Sequence, residues 1–426
     1  MNVANALIKT LDGADVEPDI NTPAARRFTL TTSKKTTKNT STLRAAEFFA
    51  GIGLARIGLE RAGFSVVWAN DIDRDKQQMY AGHFKDAEDD HKYVLGDIGE
   101  VNGRDLPSEL SLAWASFPCT DLSLAGNREG LKGEQSGTFW QFVRVLREQG
   151  DSRPPVVALE NVNGLATSHG GADMEALIKA LNNLGYSVDI LTLDARRFVP
   201  QSRPRLFIVG AMNPPQQDQA ERRDLRPAWL DRFFENPALK THRAVLPAPP
   251  PLRSNGLTKL IEEIGDDPHW WDTERTNAFL ASLTPIQAAR LDTLKNADEY
   301  SYRTAYRRTR NKVPVWEIRS DDISGCLRTA RGGSSKQAVV KAGKGEVQVR
   351  WMTPREYAAL MGAPDYNLEN LRRNQALFGF GDAVCVDAVA WVAEHYLRPV
   401  AEGRTCLNAG LQAGESSSQP SALRLW

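Results

Sequence analysis

Cys119 stands where a thiol could act as a nucleophile. It follows Pro118 shortly after the apolar run Leu112–Ala115, in the sequence Ser116-Phe117-Pro118-Cys119. The apolar run predicts a buried strand, and proline ends it because proline lacks a backbone donor and fixes φ. The next side chain is then aimed from the strand end towards a surface cleft. A single cysteine is more often a small core residue, so the thiol alone does not identify a nucleophile.

A carboxylate and two guanidinium groups follow at later strand ends. Glu160 ends the apolar run Val156–Leu159, and burial there would keep its carboxyl partly protonated and able to hydrogen-bond a ring nitrogen. Arg203 and Arg205 lie two residues apart at the start of another predicted strand, so their side chains should face the same way. A guanidinium there could bind a carbonyl oxygen or a phosphate. Taken singly, Glu160 could equally be a capping residue, and arginine pairs are usually solvated surface.

A glycine turn near the start of the sequence suggests a nucleoside site. The predicted strand Ala45–Phe49 runs into Ala50-Gly51-Ile52-Gly53 and then into a helix, whose N-terminus a ligand can approach closely. Asp71 ends the next strand, where its carboxylate could bind both ribose hydroxyls. The third glycine of a dinucleotide motif is missing, which argues against a pyrophosphate and leaves room for an adenosyl ligand. The turn Gly96-Asp97-Ile98 could place a carboxylate near an adenine amino group, although an ordinary turn explains it as well.

The elements that must position these residues alternate between strand and helix patterns. Residues 43–211 therefore predict an α/β fold with a parallel sheet. Strands are expected at Ala45–Phe49, Ser65–Asn70, Leu112–Ser116, Val156–Leu159, Ser187–Leu191 and Leu206–Gly210. Helices are expected at Leu54–Ala62, Phe139–Glu148, Met174–Leu184, Pro354–Met361 and Ala383–Tyr396.

Composition divides the chain into five parts. Residues 1–42 form a predicted polar tail, residues 43–211 form the α/β domain, and proline-rich segments after residue 211 mark a boundary. Residues 212–350 would form a second, smaller domain, residues 351–398 would return to the first domain, and residues 399–426 would form a C-terminal tail. Residues 302–350 carry twelve Lys or Arg against four acidic residues, a local basic surface suited to phosphate.

Whole-chain composition narrows the cellular setting. The formal net charge is zero, so no global field attracts nucleic acid, and contact with it must be local. Four cysteines without C-x-x-C spacing fit a reducing cytoplasm. No apolar run approaches the roughly 20 residues that span a bilayer, and the N-terminus lacks a signal-peptide pattern. We therefore expect a cytoplasmic protein without a membrane segment, and no His/Cys cluster suggests a metal.

Taken together and in this order, the motifs resemble those of the C5-cytosine DNA methyltransferase family over about residues 43–398. The matching segments are Phe49-Ala50-Gly51-Ile52-Gly53, Pro118-Cys119 with Ser123, Glu160-Asn161-Val162, Gln201-x-Arg203-x-Arg205, Thr353-Pro354-Arg355-Glu356 and Phe380-Gly381-Asp382-Ala383-Val384. Three positions depart from the family pattern: Thr120 replaces Gln, Leu122 replaces Phe, and Asp382 replaces Asn.

The resemblance implies a Rossmann-like S-adenosylmethionine-dependent methyltransferase sheet with a smaller target-recognition domain. It implies catalytic roles for Cys119, Glu160, Arg203 and Arg205. The cofactor-binding residues would be Phe49, Ala50, Gly51, Ile52, Gly53, Asp71, Ile72, Asp97, Ile98, Pro118, Phe139, Asp382 and Val384. The DNA contacts would include Ser123, Arg307, Arg308, Arg310, Arg328 and Arg331.

The implied chemistry is attack on a cytosine flipped out of duplex DNA. The Cys119 thiolate adds to C6, because C5 is otherwise too poor a nucleophile to accept a methyl group. Glu160 protonates or hydrogen-bonds N3, Arg205 holds O2 and orients Glu160, and Arg203 is a nearby structural partner. C5 then takes the methyl group from S-adenosylmethionine, and loss of the C5 proton releases Cys119. The glycine-containing stretch 120–137 is expected to close over the base, with a loose surface loop as the alternative.

Three other functions are alternatives to this one. An RNA cytosine methyltransferase would share the fold, but the long stretch between Arg205 and Thr353 favours DNA. The intact Cys119, Glu160 and Arg205 argue against a catalytically silent DNA-binding module, and an NAD-dependent oxidoreductase explains neither Pro118-Cys119 nor the basic region. The resemblance implies a monomer that modifies a specific duplex sequence, either within a restriction-modification system or as a solitary methylase. The recognition sequence and the existence of a companion restriction endonuclease stay open.

Overall fold

Short apolar runs assemble into a seven-stranded sheet. The computed structural model describes residues 42–85, 90–118, 137–218, 223–261, 269–310, 313–329 and 336–404. The strands are β1 (Leu43–Phe48), β2 (Phe64–Asp71), β3 (Lys92–Leu95), β4 (Leu110–Ala115), β5 (Val156–Asn161), β6 (Ser187–Asp194) and β7 (Pro204–Ala211). Their order across the sheet is β3-β2-β1-β4-β5-β7-β6. The six predicted strands are confirmed within a few residues, whereas β3 was not predicted.

The sheet is mixed, so the prediction of a parallel sheet is wrong for one strand. β1, β2, β3, β4 and β5 pair in parallel, but β7 runs antiparallel to both β5 and β6. Nine residues connect β6 to β7. A parallel crossover needs a dozen or more residues, so this connection requires antiparallel neighbours. As a result, the first residues of β7 lie at the same edge of the sheet as the last residues of β5.

Helices cover both faces of this sheet. The first four are α1 (Leu54–Arg61), α2 (Arg74–Phe84), α3 (Thr138–Glu148) and α4 (Ala172–Asn183). α3 and α4 pack on one face, against residues such as Phe48 and Leu159, and α1 packs on the other, against residues such as Trp114. This three-layer arrangement encloses the strand ends on both sides, which is typical of a doubly wound α/β domain. α2 was not predicted, because Met79 and Tyr80 are its only buried residues.

A second, four-stranded antiparallel sheet forms from the later part of the chain. Its strands are β8 (Ser301–Arg310), β9 (Val313–Ile318), β10 (Ala338–Gly343) and β11 (Glu346–Trp351), in the order β11-β10-β8-β9. The helices that precede this sheet are α5 (Asp231–Phe234), α6 (Thr273–Ala281) and α7 (Pro285–Lys295). α6 and α7 contribute Phe279 and Leu291 to the core on one face of the sheet. The predicted fold class, an α/β sheet with a smaller second domain, is confirmed.

The two ends of this second region meet. Trp270 forms an isolated antiparallel bridge with Arg350, and the Trp271 N–H donates to the Val349 carbonyl oxygen at 2.8 Å. The segment that enters the second sheet therefore lies beside the strand that leaves it. The exact domain boundaries at residues 212 and 351 stay predictions.

The C-terminal region returns to the large sheet as helices. These are α8 (Pro354–Leu360), α9 (Arg373–Asp382), α10 (Val386–Val392), a π-helical turn (Ala393–Leu397) and α11 (Arg398–Ala401). The prediction that one helix begins at Ala383 is wrong, because α9 ends at Asp382 and the backbone is extended at Ala383 and Cys385. Helix α11 also extends into the residues predicted as a tail, whereas residues 1–41 and 405–426 lie outside the described residues.

One helical region has the composition of a membrane span. Among the described residues, Arg373–Ala401 is 29 residues long and apolar enough to cross a bilayer, which contradicts the prediction that no run is long enough. Within the protein, 72% of its most apolar window is buried. Helices in the core of a protein pass the same test of length and composition, so this is weak evidence for a membrane span.

Short 3-10 turns connect the remaining elements. They lie at Ile98–Glu100, Gly103–Asp105, Gly150–Ser152, Asn163–Ala166, Ser168–Gly171, Ala195–Arg197 and Ala228–Leu230. The turn at Ile98 begins at Asp97, whose side chain accepts from the Gly99 N–H at 2.7 Å. This turn therefore follows the end of β3, the strand next to β2.

Candidate active site

The turn after β1 contains three residues with a left-handed backbone conformation. Phe49, Gly51 and Gly53 have φ values of 56°, 56° and 80°, and a non-glycine residue such as Phe49 rarely adopts this conformation. The Ala50 N–H donates to the Asn70 carbonyl oxygen at 2.9 Å, which ties the turn to the end of β2. Strained residues of this kind cluster at active sites and ligand-binding sites, so the turn is a candidate binding site.

Asp71 organises the turn through both carboxylate oxygens. Oδ2 accepts from the Gly51 N–H at 2.8 Å, and Oδ1 accepts from the Asp73 N–H at 2.9 Å. Ile72, the residue between Asp71 and Asp73, is 69% exposed, which is unusual for a large apolar side chain. An apolar surface beside a carboxylate and a glycine turn fits an adenosyl group, since the ring can lie on Ile72 while Asp71 accepts from ribose.

The other residues predicted to bind the cofactor divide by burial. Asp97 is exposed, and Pro118 is half-buried. Ala50, Ile52, Ile98 and Val384 are buried. Phe139 is fully buried, with its ring 5.6 Å from that of Phe117. Phe139 is therefore a core residue, and the neighbouring Trp140, 41% exposed, is the aromatic side chain that α3 presents at the surface.

Glu160 and Asn161 end β5 beside the Pro118 strand end. Asn161 donates from Nδ2 to the Phe117 carbonyl oxygen at 3.1 Å, so β5 fixes the backbone immediately before Pro118. Glu160 is 7% exposed. Cys119 and Ser123 lie outside the described residues, as does almost all of the stretch 120–137.

Arg205 contacts Glu160 directly. Its Nε lies 3.0 Å from Glu160 Oε1, and both side chains are largely buried. The contact follows from the antiparallel direction of β7, which brings the start of that strand to the end of β5. A buried carboxylate fixed by a guanidinium is a rigid pair, because separating the charges would leave each one unpaired in a low-dielectric setting.

Arg203 makes different hydrogen bonds, although Cys326 is near both arginines. Arg203 is 2% exposed and donates to the carbonyl oxygens of Leu327 at 2.7 Å and Ala383 at 2.6 Å. Gln201 is fully buried and acts similarly, donating to the Leu360 carbonyl oxygen at 2.7 Å and accepting from the Leu327 N–H at 3.0 Å. Arg203 is therefore a buried connection between segments rather than a group facing the cleft.

Cys326 lies beside both arginines and was not singled out from the sequence. Arg203 Nη1 is 3.4 Å from its sulfur. Burial alone would raise the pKa of the Cys326 thiol, but the guanidinium groups of Arg203, Arg205 and Arg328 outweigh burial and lower it. Only proximity in the fold reveals this, since 121 residues separate Arg205 from Cys326.

Two charged residues near the glycine turn are not among the predicted site residues. Glu47, on β1, is 1% exposed, and burial raises its pKa to about 8, although Arg56 opposes this. Lys76, on α2, lies 3.1 Å from Asp382 Oδ2. Burial would lower the pKa of the Lys76 ammonium, but Asp382 and Asp71 outweigh burial and raise it.

The predicted DNA contacts occupy different surfaces. Arg307 lies opposite Trp316 in the strand pairing, on the sheet face whose core includes α6 and α7. Arg308 points to the other face, where it is exposed and pairs with Glu317 at 3.3 Å. Arg328 is exposed on the segment that Arg203 anchors. The Arg310 side chain and Arg331 lie outside the described part of the chain.

Comparison with known proteins identifies the family. Residues 43–398 match the family described as C-5 cytosine-specific DNA methylase. The Type II methyltransferase M.Bsp6I of Bacillus sp. (strain RFL6) is 28% identical over 359 residues, which cover 83% of this chain and 98% of that protein. M.HhaI of Haemophilus parahaemolyticus, also a Type II methyltransferase, is 31% identical over 177 residues, which cover 41% of this chain and 51% of that protein.

Solved structures share the fold at low sequence identity. The Dnmt2 methyltransferase of S. pombe is 17% identical, with a TM-score of 0.53 and coverage of 84% of this chain and 99% of that one. The Entamoeba histolytica methyltransferase EhMeth is 13% identical, with a TM-score of 0.53 and coverage of 85% and 98%. The family match extends from β1 to the first residue of α11, and the chain therefore belongs to the C-5 cytosine-specific DNA methylase family, whose DNA methyltransferase activity its motifs predicted.

Proposed function

We propose that the protein transfers a methyl group from S-adenosylmethionine to C5 of a flipped-out cytosine in a specific duplex DNA sequence. The transfer would proceed through a covalent bond between Cys119 and C6. The protein would act in the cytoplasm, as a monomer, either within a restriction-modification system or as a solitary methylase. The Type II methyltransferases among its relatives support a role in DNA modification.

The contact between Glu160 and Arg205 carries this proposal. It joins a carboxyl group and a guanidinium at the sheet edge to which Asn161 also ties the backbone before Pro118. A cytosine presents N3 and O2 next to each other, so a fixed carboxyl and guanidinium pair can bind both atoms at once. The same edge carries the glycine turn and Asp71, which supports transfer between two ligands bound side by side.

The residues of the chain have separate tasks in this reaction. The Cys119 thiolate attacks C6, while a proton on Glu160 is donated to, or shared with, N3 and so neutralises charge that develops on the ring. Arg205 binds O2 and keeps Glu160 in place. S-adenosylmethionine would supply the methyl group, bound by Asp71, Ile72 and the Phe49–Gly53 turn. Loss of the C5 proton then restores the double bond and expels the Cys119 thiolate.

The basic second sheet would hold the duplex. Exposed Arg308 and Arg328, on separate segments, offer guanidinium groups to phosphate. Arg203 and Gln201 attach the Arg328 segment to the catalytic domain through Leu327, so the recognition side is rigidly linked to the reacting side.

Replacement of Cys119 tests the proposal. Cys119→Ala should abolish methyl transfer to duplex DNA while S-adenosylmethionine still binds, because the thiol contacts the base and not the adenosyl group. A covalent adduct with 5-fluorocytosine DNA should form only when Cys119 is present, since fluorine blocks the final elimination. Cys406→Ala, which removes a thiol outside the motifs, serves as the matched control and should methylate normally.

The substrate is tested in the same assay. Duplex DNA from an unmethylated host and tRNA are offered separately, and methylated cytosines are mapped by sequencing. Methyl transfer to tRNA alone would contradict the DNA proposal, and Cys119→Ala turnover within tenfold of wild type would contradict the assignment of the nucleophile.

A further inference from the structure

Helix α9 touches the cofactor turn on one side and the segment Cys326–Thr329 on the other. A Cβ atom on Gly379 would lie 2.7 Å from Ile52 Cγ2, and a Cβ atom on Gly381 would lie 2.5 Å from the Arg328 carbonyl group. Real Cβ atoms do not approach other atoms so closely. The two glycines therefore let α9 pack against both neighbours without a gap, so a shift of either neighbour must move the helix.

Asp382, the last residue of α9, joins the same two neighbours by polar contacts. Its Oδ2 pairs with Lys76 Nζ at 3.1 Å, and its Oδ1 accepts a hydrogen bond from the Thr329 hydroxyl. Lys76 lies over the cofactor turn, because a Cβ atom on Gly51 would be 3.9 Å from Lys76 Cδ. One carboxylate thus links a residue at the turn to a residue of the Cys326–Thr329 segment.

Arg203 connects the Cys326–Thr329 segment to the end of α9, and the contacts between these two parts form a junction. Arg203 donates to Leu327 in the Cys326–Thr329 segment and to Gly381 and Ala383 at the end of α9. The segment can therefore change its position only together with the end of α9. The polar contacts of Asp382 are then the adjustable part of the junction, since its side chain is 37% exposed while Arg203 is buried.

We propose that Lys76, Asp382 and Thr329 are positioning residues that make cofactor binding and DNA binding reinforce each other. This inference rests on the proposed function. Cofactor bound beside Gly51 and Asp71 restricts Lys76, which restricts Asp382 and thereby Thr329 next to the exposed Arg328. The reverse effect follows by thermodynamic linkage, so DNA must raise cofactor affinity by the same factor.

Calorimetry with S-adenosylhomocysteine tests the coupling, because this product binds without reacting. Its affinity for the full-length protein is measured alone and with a duplex that the wild type methylates. In the wild type the duplex should raise the affinity by about 5- to 150-fold, the usual range for coupled sites. Thr329→Val should reduce this factor to below about twofold, because valine keeps the shape but donates no hydrogen bond. The affinity without DNA should not change, since Thr329 is outside the cofactor turn.

Conservative variants separate positioning from folding. Thr329→Ser retains the hydroxyl, so the duplex should raise S-adenosylhomocysteine affinity by the wild-type factor. Lys76→Met keeps the apolar stem but loses the charge, so most of this increase should be lost. Asp382→Asn keeps an acceptor for Thr329 but loses the ion pair, so its factor should lie between these two. The matched control is Thr293→Val on α7, because the Thr293 hydroxyl donates to the Ala289 carbonyl oxygen of its own helix.

Each other result identifies what fails. A wild type that binds no S-adenosylhomocysteine contradicts the proposed function itself. If the wild type binds S-adenosylhomocysteine tightly but the duplex does not raise this affinity, the coupling is overturned and the proposed function is intact. The same conclusion follows if the duplex raises the affinity equally in the wild type and in Thr329→Val. Equal loss of DNA affinity in Thr329→Val with and without S-adenosylhomocysteine would make Thr329 a simple DNA contact, which also overturns the inference.

Discussion

Asp71 holds the glycine turn after β1 through both of its carboxylate oxygens. Asp71→Ala should weaken S-adenosylmethionine binding by about 1–3 kcal/mol, the value of a charge-assisted hydrogen bond, because it removes an acceptor for ribose. It should also loosen the turn, since the Gly51 and Asp73 N–H groups lose their partner. Titration calorimetry measures the change.

The control for Asp71 removes a carboxylate elsewhere. Asp151→Ala lies in an exposed turn after α3 and should leave cofactor affinity at the wild-type value. DNA affinity without cofactor should change in neither variant. Unaltered S-adenosylmethionine affinity in Asp71→Ala would place the cofactor elsewhere.

Glu160 and Arg205 should behave as one unit. Glu160→Gln and Arg205→Met should each slow methyl transfer, and the double variant should cost less than the two single losses added together. Residues in direct contact typically show an interaction energy of about 0.5–3 kcal/mol. Single-turnover rates with saturating DNA and cofactor give the four values of the cycle.

A distant ion pair provides the comparison for this cycle. Arg398 and Glu402 lie 3.1 Å apart on and just after α11, and both are more exposed. Exposed pairs contribute little, so their variants should leave the rate unchanged. Additive losses at Glu160 and Arg205 would mean that the two residues act independently.

The motifs predicted the family correctly, but they did not predict where every side chain lies. Alternation along a strand made Arg203 and Arg205 look equivalent, but β7 begins at Pro204, so the rule does not apply to Arg203. Cys326 and Lys76 could not be found from sequence, because their partners Arg203 and Asp382 lie far away along the chain. Glu47 could not be found because its pKa depends on burial in the fold. Asp71 was accessible to prediction, since a carboxylate at the end of the strand after a glycine turn has a fixed place in this fold.

Among the elements, strands were easier to predict than their directions. The apolar runs of β1, β4 and β5 are buried on both faces and stand out in the sequence. β3 has four residues that are exposed or half-buried, so it has no such pattern. The reversal of β7 was implicit in the short connection after β6, where no helix fits.

The faces of β8 sharpen the prediction about DNA contacts. Arg307 and Arg308 are adjacent in a strand and so point to opposite sides of the sheet. Arg308→Gln should weaken binding to all duplexes alike and flatten the dependence of log affinity on log salt by about 0.9, the effect of one lost phosphate contact. Arg307→Gln, on the face covered by α6 and α7, should change the slope less. Fluorescence anisotropy at several salt concentrations measures both slopes.

The two variants also control each other. Cofactor affinity should stay constant in both, because β8 belongs to the second sheet. A changed sequence preference with an unchanged slope would mean that Arg308 reads bases instead of phosphate. Equal slopes for both variants and the wild type would make this surface a solvated one.

Glu47 gives the whole molecule a characteristic pH dependence. Its pKa is raised to about 8 in the folded protein by burial, from an ordinary value of 4.5. Folding is therefore favoured by the protonated form, and this stabilisation is complete below 4.5 and is lost as pH rises to 8. Glu47→Gln does not titrate, so its free energy of unfolding should exceed that of the wild type by an amount that grows between these limits. The growth should be at most about 1.4 kcal/mol per pH unit.

Urea unfolding from pH 4.5 to 9 measures that difference. Above pH 8 the difference should become constant, because the folded and unfolded states are then both deprotonated. Glu100→Gln, at an exposed carboxylate, should follow the wild type at every pH. A Glu47→Gln protein with a constant difference across the range would show that the carboxyl does not titrate on unfolding.

The meeting of Trp270 with Arg350 has a consequence for how this protein could diversify. The bridge keeps the two ends of the stretch together, so the parts of its interior that do not contact the catalytic domain can lengthen, shorten or be exchanged without separating the flanking elements. The proposed catalytic residues Glu160 and Arg205 lie outside that stretch. Grafting residues 271–349 from a relative, with Cys326–Thr329 left as they are, would therefore be expected to transfer a new sequence preference onto the same chemistry, which makes the bridge a natural joint for recombination.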